Sequence, residues 1–166
     1  VGFWLELGVD GFRVDAVPFL VDTKGAVSAD GAPIHLDPHE ILRHLRSFIT
    51  RRKGDAVLLG EVNLPPKGLV KYFGDEDADE VHMLFDFPLM YAIDGYLSQQ
   101  QQAEKIAEVL AADALYPNPL GLVPFLDNHD TERAVALVGG DVERLRLAHT
   151  ILMTMRGAPD GVTGEV

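Results

Sequence analysis

The stretch Gly11-Phe12-Arg13-Val14-Asp15-Ala16-Val17-Pro18-Phe19 decides how the chain reads, because an apolar strand ends there on an acid with an arginine two residues before it. Side chains alternate along a strand with a period of two, so Arg13 and Asp15 point to the same side. A fixed cation beside a carboxylate lowers its pKa and keeps it ionised, as a nucleophile working at neutral pH requires. Taken alone, a structural ion pair at a strand end is the commoner reading, since such pairs also perturb acids outside active sites.

Two further stretches shift the balance. Val57-Leu58-Leu59-Gly60-Glu61 is an uninterrupted apolar run closing on a glutamate. Leu122-Val123-Pro124-Phe125-Leu126-Asp127-Asn128-His129-Asp130 is another, closing on a polar cluster. A parallel sheet places the C-termini of its strands on one face, so acids far apart in sequence converge there.

Together the three stretches resemble three sequence signatures of the alpha-amylase superfamily, glycoside hydrolase family 13. These are glycine-phenylalanine-arginine-x-aspartate at Gly11 to Asp15, glycine-glutamate at Gly60 and Glu61, and asparagine-histidine-aspartate at Asn128 to Asp130. Their order and spacing match, and they span most of the chain. Gly8-Val9-Asp10, and Phe73-Gly74-Asp75 followed by His82-Met83 and Phe87-Pro88-Leu89-Met90, are similar to the trehalose synthase branch.

The resemblance implies an α/β fold, a partial (beta/alpha)8 TIM barrel with about strands four to seven and their helices. It implies that Asp15 is the nucleophile, Glu61 the general acid and then base, and Asp130 the stabiliser of the sugar in the transition state. Arg13, His129 and Asn128 are then substrate-binding residues, with His129 a donor to a sugar hydroxyl. The implied substrate is an alpha-glucoside or alpha-glucan, processed by hydrolysis, transglucosylation or maltose to trehalose isomerisation. No cofactor is required and no metal ligand is assigned. Calcium is possible in a full-length parent, because calcium sites in many relatives depend on residues upstream of Val1.

The chemistry of retention agrees with that assignment. It needs one carboxylate ionised and one protonated at the start, so their surroundings must push the two pKa values apart. Arg13 holds Asp15 charged, while Glu61 emerges from apolar Val57 to Leu59. Two rivals remain open. His129, Asp130, Asp15 and Glu61 could serve as ligands in a metal-dependent barrel hydrolase, although no His-x-His pair occurs in the chain. A non-catalytic glucan-binding remnant is the other.

A chain of 166 residues would ordinarily be one domain, yet a complete barrel takes roughly 250 residues and only four strands are evident. Residues 1–166 are therefore expected to be the C-terminal part of a catalytic domain, without the early strands, the third-strand signature or a normal eighth strand, and inactive alone. The net charge of -12 argues against a nucleic-acid partner, which would draw on clustered lysine and arginine. No apolar run reaches the ~18 residues of a membrane span, so no membrane partner is expected. Zero cysteines exclude disulfides within the chain and are compatible with a cytoplasmic location. Oligomeric state is not legible.

Taken in order, Phe3 to Leu7 reads as a last helical turn stopped by Gly8. Pro18 to Leu36 is a long loop that leaves the acid-bearing end of the first strand, with Asp22, Lys24 and Asp30 on a solvated face. Asp37-Pro38-His39-Glu40 starts a helix by capping, in preference to metal ligation, and Ile41, Leu42, Leu45, Phe48 and Ile49 form its apolar stripe. Pro65 and Pro66 open a short helix ended by Gly74, and the acidic run Asp75 to Glu80 reads as a solvated loop. His82 to Phe87 is a third strand, with Asp86 either reaching the cleft or supporting it. Helices follow through Leu89 to Leu97 and Ala103 to Leu110. Asp141 caps another, with Leu145, Ala148, Ile151, Leu152 and Met155 inward.

Overall fold

The computed structural model describes residues 1–21, 27–32, 37–75, 77–98 and 102–161. It divides into two compact units, Val1–Val62 with Lys71–Leu84, and Asn63–Val70 with Phe85–Val166. Asp22 and Lys24 of the long loop, and residues 162–166 of the tail, lie outside the described residues.

In the first unit, helix α1 (Gly2–Glu6) ends at Gly8, whose φ of 95° makes the turn into strand β1 (Gly11–Val14). Helix α2 (Pro38–Arg52) begins where the Asp37 carboxylate accepts the His39 N–H at 3.0 Å, as the aspartate-proline signature predicts. Leu42 and Ile49 of its stripe are fully buried, and Arg52 lies 3.6 Å over the Phe48 ring. Strand β2 (Val57–Gly60) pairs parallel to β1, with Arg13 opposite Leu59 and Val14 opposite Gly60. Strand β3 (Met83–Phe85) pairs parallel to β2, and strand β4 (Leu122–Val123) belongs to the second unit. Gly60 is required by packing: a Cβ there would press on Leu84 at 3.1 Å and Val81 at 3.2 Å.

The strands are shorter than the sequence suggests. Asp15 and Glu61 fall one residue beyond β1 and β2, and the Glu61 N–H still donates to the Val14 carbonyl at 2.9 Å. The acidic run is not wholly solvated: Glu80 is 1% exposed, held by Arg43 at 2.9 Å and the His39 ring at 2.8 Å. Burial pushes the Glu80 carboxyl up, against the pull of those two partners. A buried carboxylate survives because its lone pairs are matched, and Arg46 also binds the Glu80 carbonyl.

In the second unit, α3 (Pro66–Leu69) ends at Val70. Helix α4 (Phe87–Leu97) buries Leu89, Ile93 and Leu97 against Leu126, Ala134, Val138, Ala148 and Leu152. Each fully buried Leu or Ile is worth about 1.5–3 kcal/mol of transfer free energy. Partly buried Ile106, Val109 and Leu110 of α5 (Glu104–Ala111), and Leu145, Ile151 and Met155 in or next to the last helix, pack on that cluster as expected. A short helix the sequence reading lacked, α6 (Ala134–Leu137), precedes that last helix, α7 (Val142–Thr154).

Asp86 belongs to support. It is 1% exposed, caps α4 by accepting the Leu89 N–H at 3.1 Å, and takes Arg156 Nη1 at 2.6 Å. Arg156 also forks onto Asp113, through Nε at 2.7 Å and Nη2 at 2.5 Å. After α7, Gly157 has φ 92°, and a Cβ there would collide with the Leu122 carbonyl. Asp160 then donates to the Pro124 carbonyl at 2.9 Å, so the tail runs beside the β4 segment without forming a strand among the described residues. No helix of the described residues is long and apolar enough to cross a membrane.

Candidate active site

Arg13, Asp15 and Glu61 meet in the first unit because register brings them there. Arg13 sits opposite Leu59, so Glu61 emerges two residues further along on the same side. A single nitrogen, Arg13 Nη2, lies 2.9 Å from Asp15 Oδ1 and 2.7 Å from Glu61 Oε2. The expectation that Arg13 and Asp15 share a side is met, and Arg13 turns out to serve both acids.

The two carboxyls differ in setting. The Asp15 side chain is 67% exposed and that of Glu61 only 12%. Glu61 is pushed up from the ordinary glutamate range, first by burial and then by its hydrogen bond with Asp15. The Arg13 charge and the Ala16 N–H oppose that rise. Burial favours the neutral form of Glu61 more than that of the exposed Asp15. The pair can thus present one ionised and one protonated acid at the same pH.

In the second unit, Asn128, His129 and Asp130 form a tight turn after Leu126. Asn128 Oδ1 accepts the Asp130 N–H at 2.9 Å, and Thr131 Oγ1 accepts the Asn128 N–H at 2.8 Å. His129 Nε2 lies 3.3 Å from Asp130 Oδ2, and both side chains are more than half exposed. The base of this turn is fixed by Asp127, 2% exposed, which accepts Arg133 Nη1 and the Ala134 N–H, each at 2.8 Å.

Among the described residues no group of three His, Asp or Glu side chains is placed to hold a metal ion. A groove of about 760 Å³ in the first unit is lined by Arg43, Arg46, Asp77 and Asp79 among others, and none of the candidate acids borders it.

Sequence reasoning missed Ala16, whose φ of 44° is unusual for a residue with a Cβ, and the anchoring role of Asp127, read only as part of the polar cluster that closes its apolar run. For Asp127 a signal existed: an aspartate with an arginine six residues on and an apolar helix start at Ala134. For Ala16 none did, since alanine carries no mark of a left-handed backbone.

Residues 1–165 match the family described as alpha amylase, catalytic domain. The trehalose synthase/amylase TreS of Mycolicibacterium smegmatis is 40% identical over 131 residues, covering 77% of this chain and 21% of that protein. The trehalose synthase of Thermus thermophilus is 32% identical over 189 residues, covering 95% of this chain and 19% of that protein. The chain thus spans about a fifth of the length of these curated relatives. In fold it is similar to a cyclic alpha-maltosyl-(1-->6)-maltose hydrolase from Arthrobacter globiformis, solved in complex with maltose, with a TM-score of 0.78, 23% identity, and 98% of this chain and 33% of that one covered.

Proposed function

The chain belongs to the alpha-amylase family, within which it resembles the trehalose synthases, and from that premise we propose that its acids break and remake alpha-glucosidic bonds with retention. The observation that carries this reading is the bridge of Arg13 Nη2 between Asp15 and Glu61. Two oxygens on one nitrogen lie within two hydrogen-bond lengths of each other, closer than the roughly 6.5–9.5 Å gap that admits a water between the acids of an inverting pair.

Asp15, exposed and paired to a cation, attacks the anomeric carbon as its bond to the leaving oxygen breaks. Glu61 gives its proton to that oxygen, then takes one from the incoming water or sugar hydroxyl that releases the glycosyl group from Asp15. Asp130 stabilises the positive charge that develops on the sugar, and Asn128 and His129 bind its hydroxyls beside it. The substrate is an alpha-glucoside or alpha-glucan, with maltose to trehalose isomerisation among the reactions these residues can serve. No cofactor enters these steps, and a cytoplasmic location completes the reading.

This activity belongs to a longer enzyme, since the relatives are about five times the length of the matched part. On this reading the 166 residues alone are expected to be inactive. The test is Asp15→Asn and Glu61→Gln in an intact enzyme carrying this chain, with glucan binding and turnover measured together. Turnover falling by about a thousandfold or more while binding persists supports catalysis. Glucan binding without turnover in the parent enzyme would favour a non-catalytic binding module.

A further inference from the structure

Ala16 follows the proposed nucleophile and adopts φ 44° and ψ 47°, a left-handed conformation that residues with a Cβ seldom occupy. That turn wraps the backbone around Glu61 from three directions. The Glu61 N–H donates to the Val14 carbonyl at 2.9 Å, and the Val17 N–H donates to the Glu61 carbonyl at 3.0 Å. The Ala16 N–H itself is aimed at Glu61 Oε2, 3.4 Å away. It is a long hydrogen bond of the kind that tightens when a substrate closes the site. Arg13 Nη2 meets the same oxygen at 2.7 Å.

Both donors therefore converge on Oε2. A carboxylic acid keeps its proton on the oxygen that is not already accepting from a cation and an amide, which leaves Oε1. We infer that Ala16 is a positioning residue for the general acid: its left-handed backbone presents an N–H that fixes Glu61 through Oε2 and makes Oε1 the proton-carrying oxygen. The inference rests on the reading of Glu61 as the acid given above. Strain at this place is then functional, because the left-handed φ and ψ of residue 16 let the Ala16 N–H meet Oε2 while the next N–H, of Val17, meets the Glu61 carbonyl.

Four substitutions in the intact enzyme test it. Ala16→Gly and Ala16→Asn introduce residues that tolerate the left-handed region, whereas Ala16→Val and Ala16→Leu do not, although Leu and Asn are similar in size. Gly and Asn should hold kcat/KM within about threefold. Val and Leu should lose about tenfold, the worth of one hydrogen bond to a neutral acid, chiefly in kcat. In those two variants the basic limb of the pH profile should also move to higher pH. The withdrawn N–H favours the charged form of Glu61, so its loss raises the pH at which the acid gives up its proton.

An Asn variant as impaired as Leu, or a basic limb unmoved in Val and Leu, overturns the inference. Thermal unfolding of each variant accompanies the kinetics. If Val and Leu do not fold, Ala16→Ser and Ala16→Thr replace them, differing by one β-methyl. Glu61→Gln in the same enzyme separates the two levels. Retained turnover there overturns the acid reading itself, whereas lost turnover with a flat Ala16 series overturns only the role of Ala16.

Discussion

Arg13 and Glu61 stand 48 residues apart in sequence and meet at 2.7 Å, because the parallel register of two neighbouring strands sets Arg13 across from Leu59. That contact makes the arginine more than the guard of one acid. It limits how far burial raises Glu61 while keeping Asp15 supplied with a positive neighbour.

Replacing Arg13 should therefore disturb both acids at once. In an intact enzyme, Arg13→Ala is expected to lower kcat/KM by about a hundredfold or more, two charge-assisted hydrogen bonds being lost. The basic limb should shift upward, because the positive charge that lowers the pKa of Glu61 is gone. Arg13→Lys should recover only part of the rate, since the shorter, flexible lysine stem does not hold a donor where Nη2 stands between the two acids. Full recovery by Lys would show that charge alone matters.

Asp94 gives a stability signature that depends on pH. Burial, and then the charge of Asp127, raise its carboxyl from 3.8 to about 7, and its Oδ1 is buried without a hydrogen-bond partner. The folded state holds the proton more tightly than the unfolded chain does. Its contribution is therefore greatest below pH 3.8 and is lost as pH rises through about 7. Asp94→Asn should remove that loss. Its advantage over the parent should grow between pH 5 and pH 8 by about 1–2 kcal/mol, discounted for partial solvent access. Unfolding curves that give the same difference at both pH values would count against this.

The clamp of Arg156 on Asp86 and Asp113 should be costly to break from one side. Arg156→Met leaves the Asp86 carboxylate, 1% exposed, with its cap to Leu89 but without its cation. The expected loss is about 3–5 kcal/mol in a denaturant titration. Converting Asp86 to Asn in the same background should return part of it, because the uncompensated charge is gone.

Expressed alone, the chain should associate. Phe3, Trp4 and Leu7 around α1 are 65%, 53% and 64% exposed, an apolar cluster of a kind that soluble monomers seldom leave uncovered. Sedimentation at increasing concentration should show mass rising above that of one chain, and Trp4→Lys with Phe3→Glu should reduce it. A concentration-independent monomer would contradict the expectation.

The sequence was most informative where chemistry and periodicity coincide. Apolar runs ending on Asp15 and Glu61 announced parallel strands with acids at one end, and Asp37-Pro38 and Asp141 announced helix starts that the structure contains. Fine strand ends were less legible, because apolar character continues through Leu126 after the pairing of β4 has stopped at Val123. Glu80 was misread since its partners, His39 and Arg43, lie some forty residues away and only the fold brings them to it. The backbone of Ala16 was invisible for a different reason: alanine carries no mark of a left-handed conformation.

The most direct test of the central claim is covalent trapping. An intact enzyme carrying this chain is incubated with an activated fluoro-sugar, digested, and its labelled peptide sequenced by mass spectrometry. The account predicts a single glycosyl adduct on Asp15, absent from Asp15→Asn and present at a reduced rate of formation in Glu61→Gln. An adduct on any other residue, or steady turnover of that enzyme with Asp15→Asn, would contradict it.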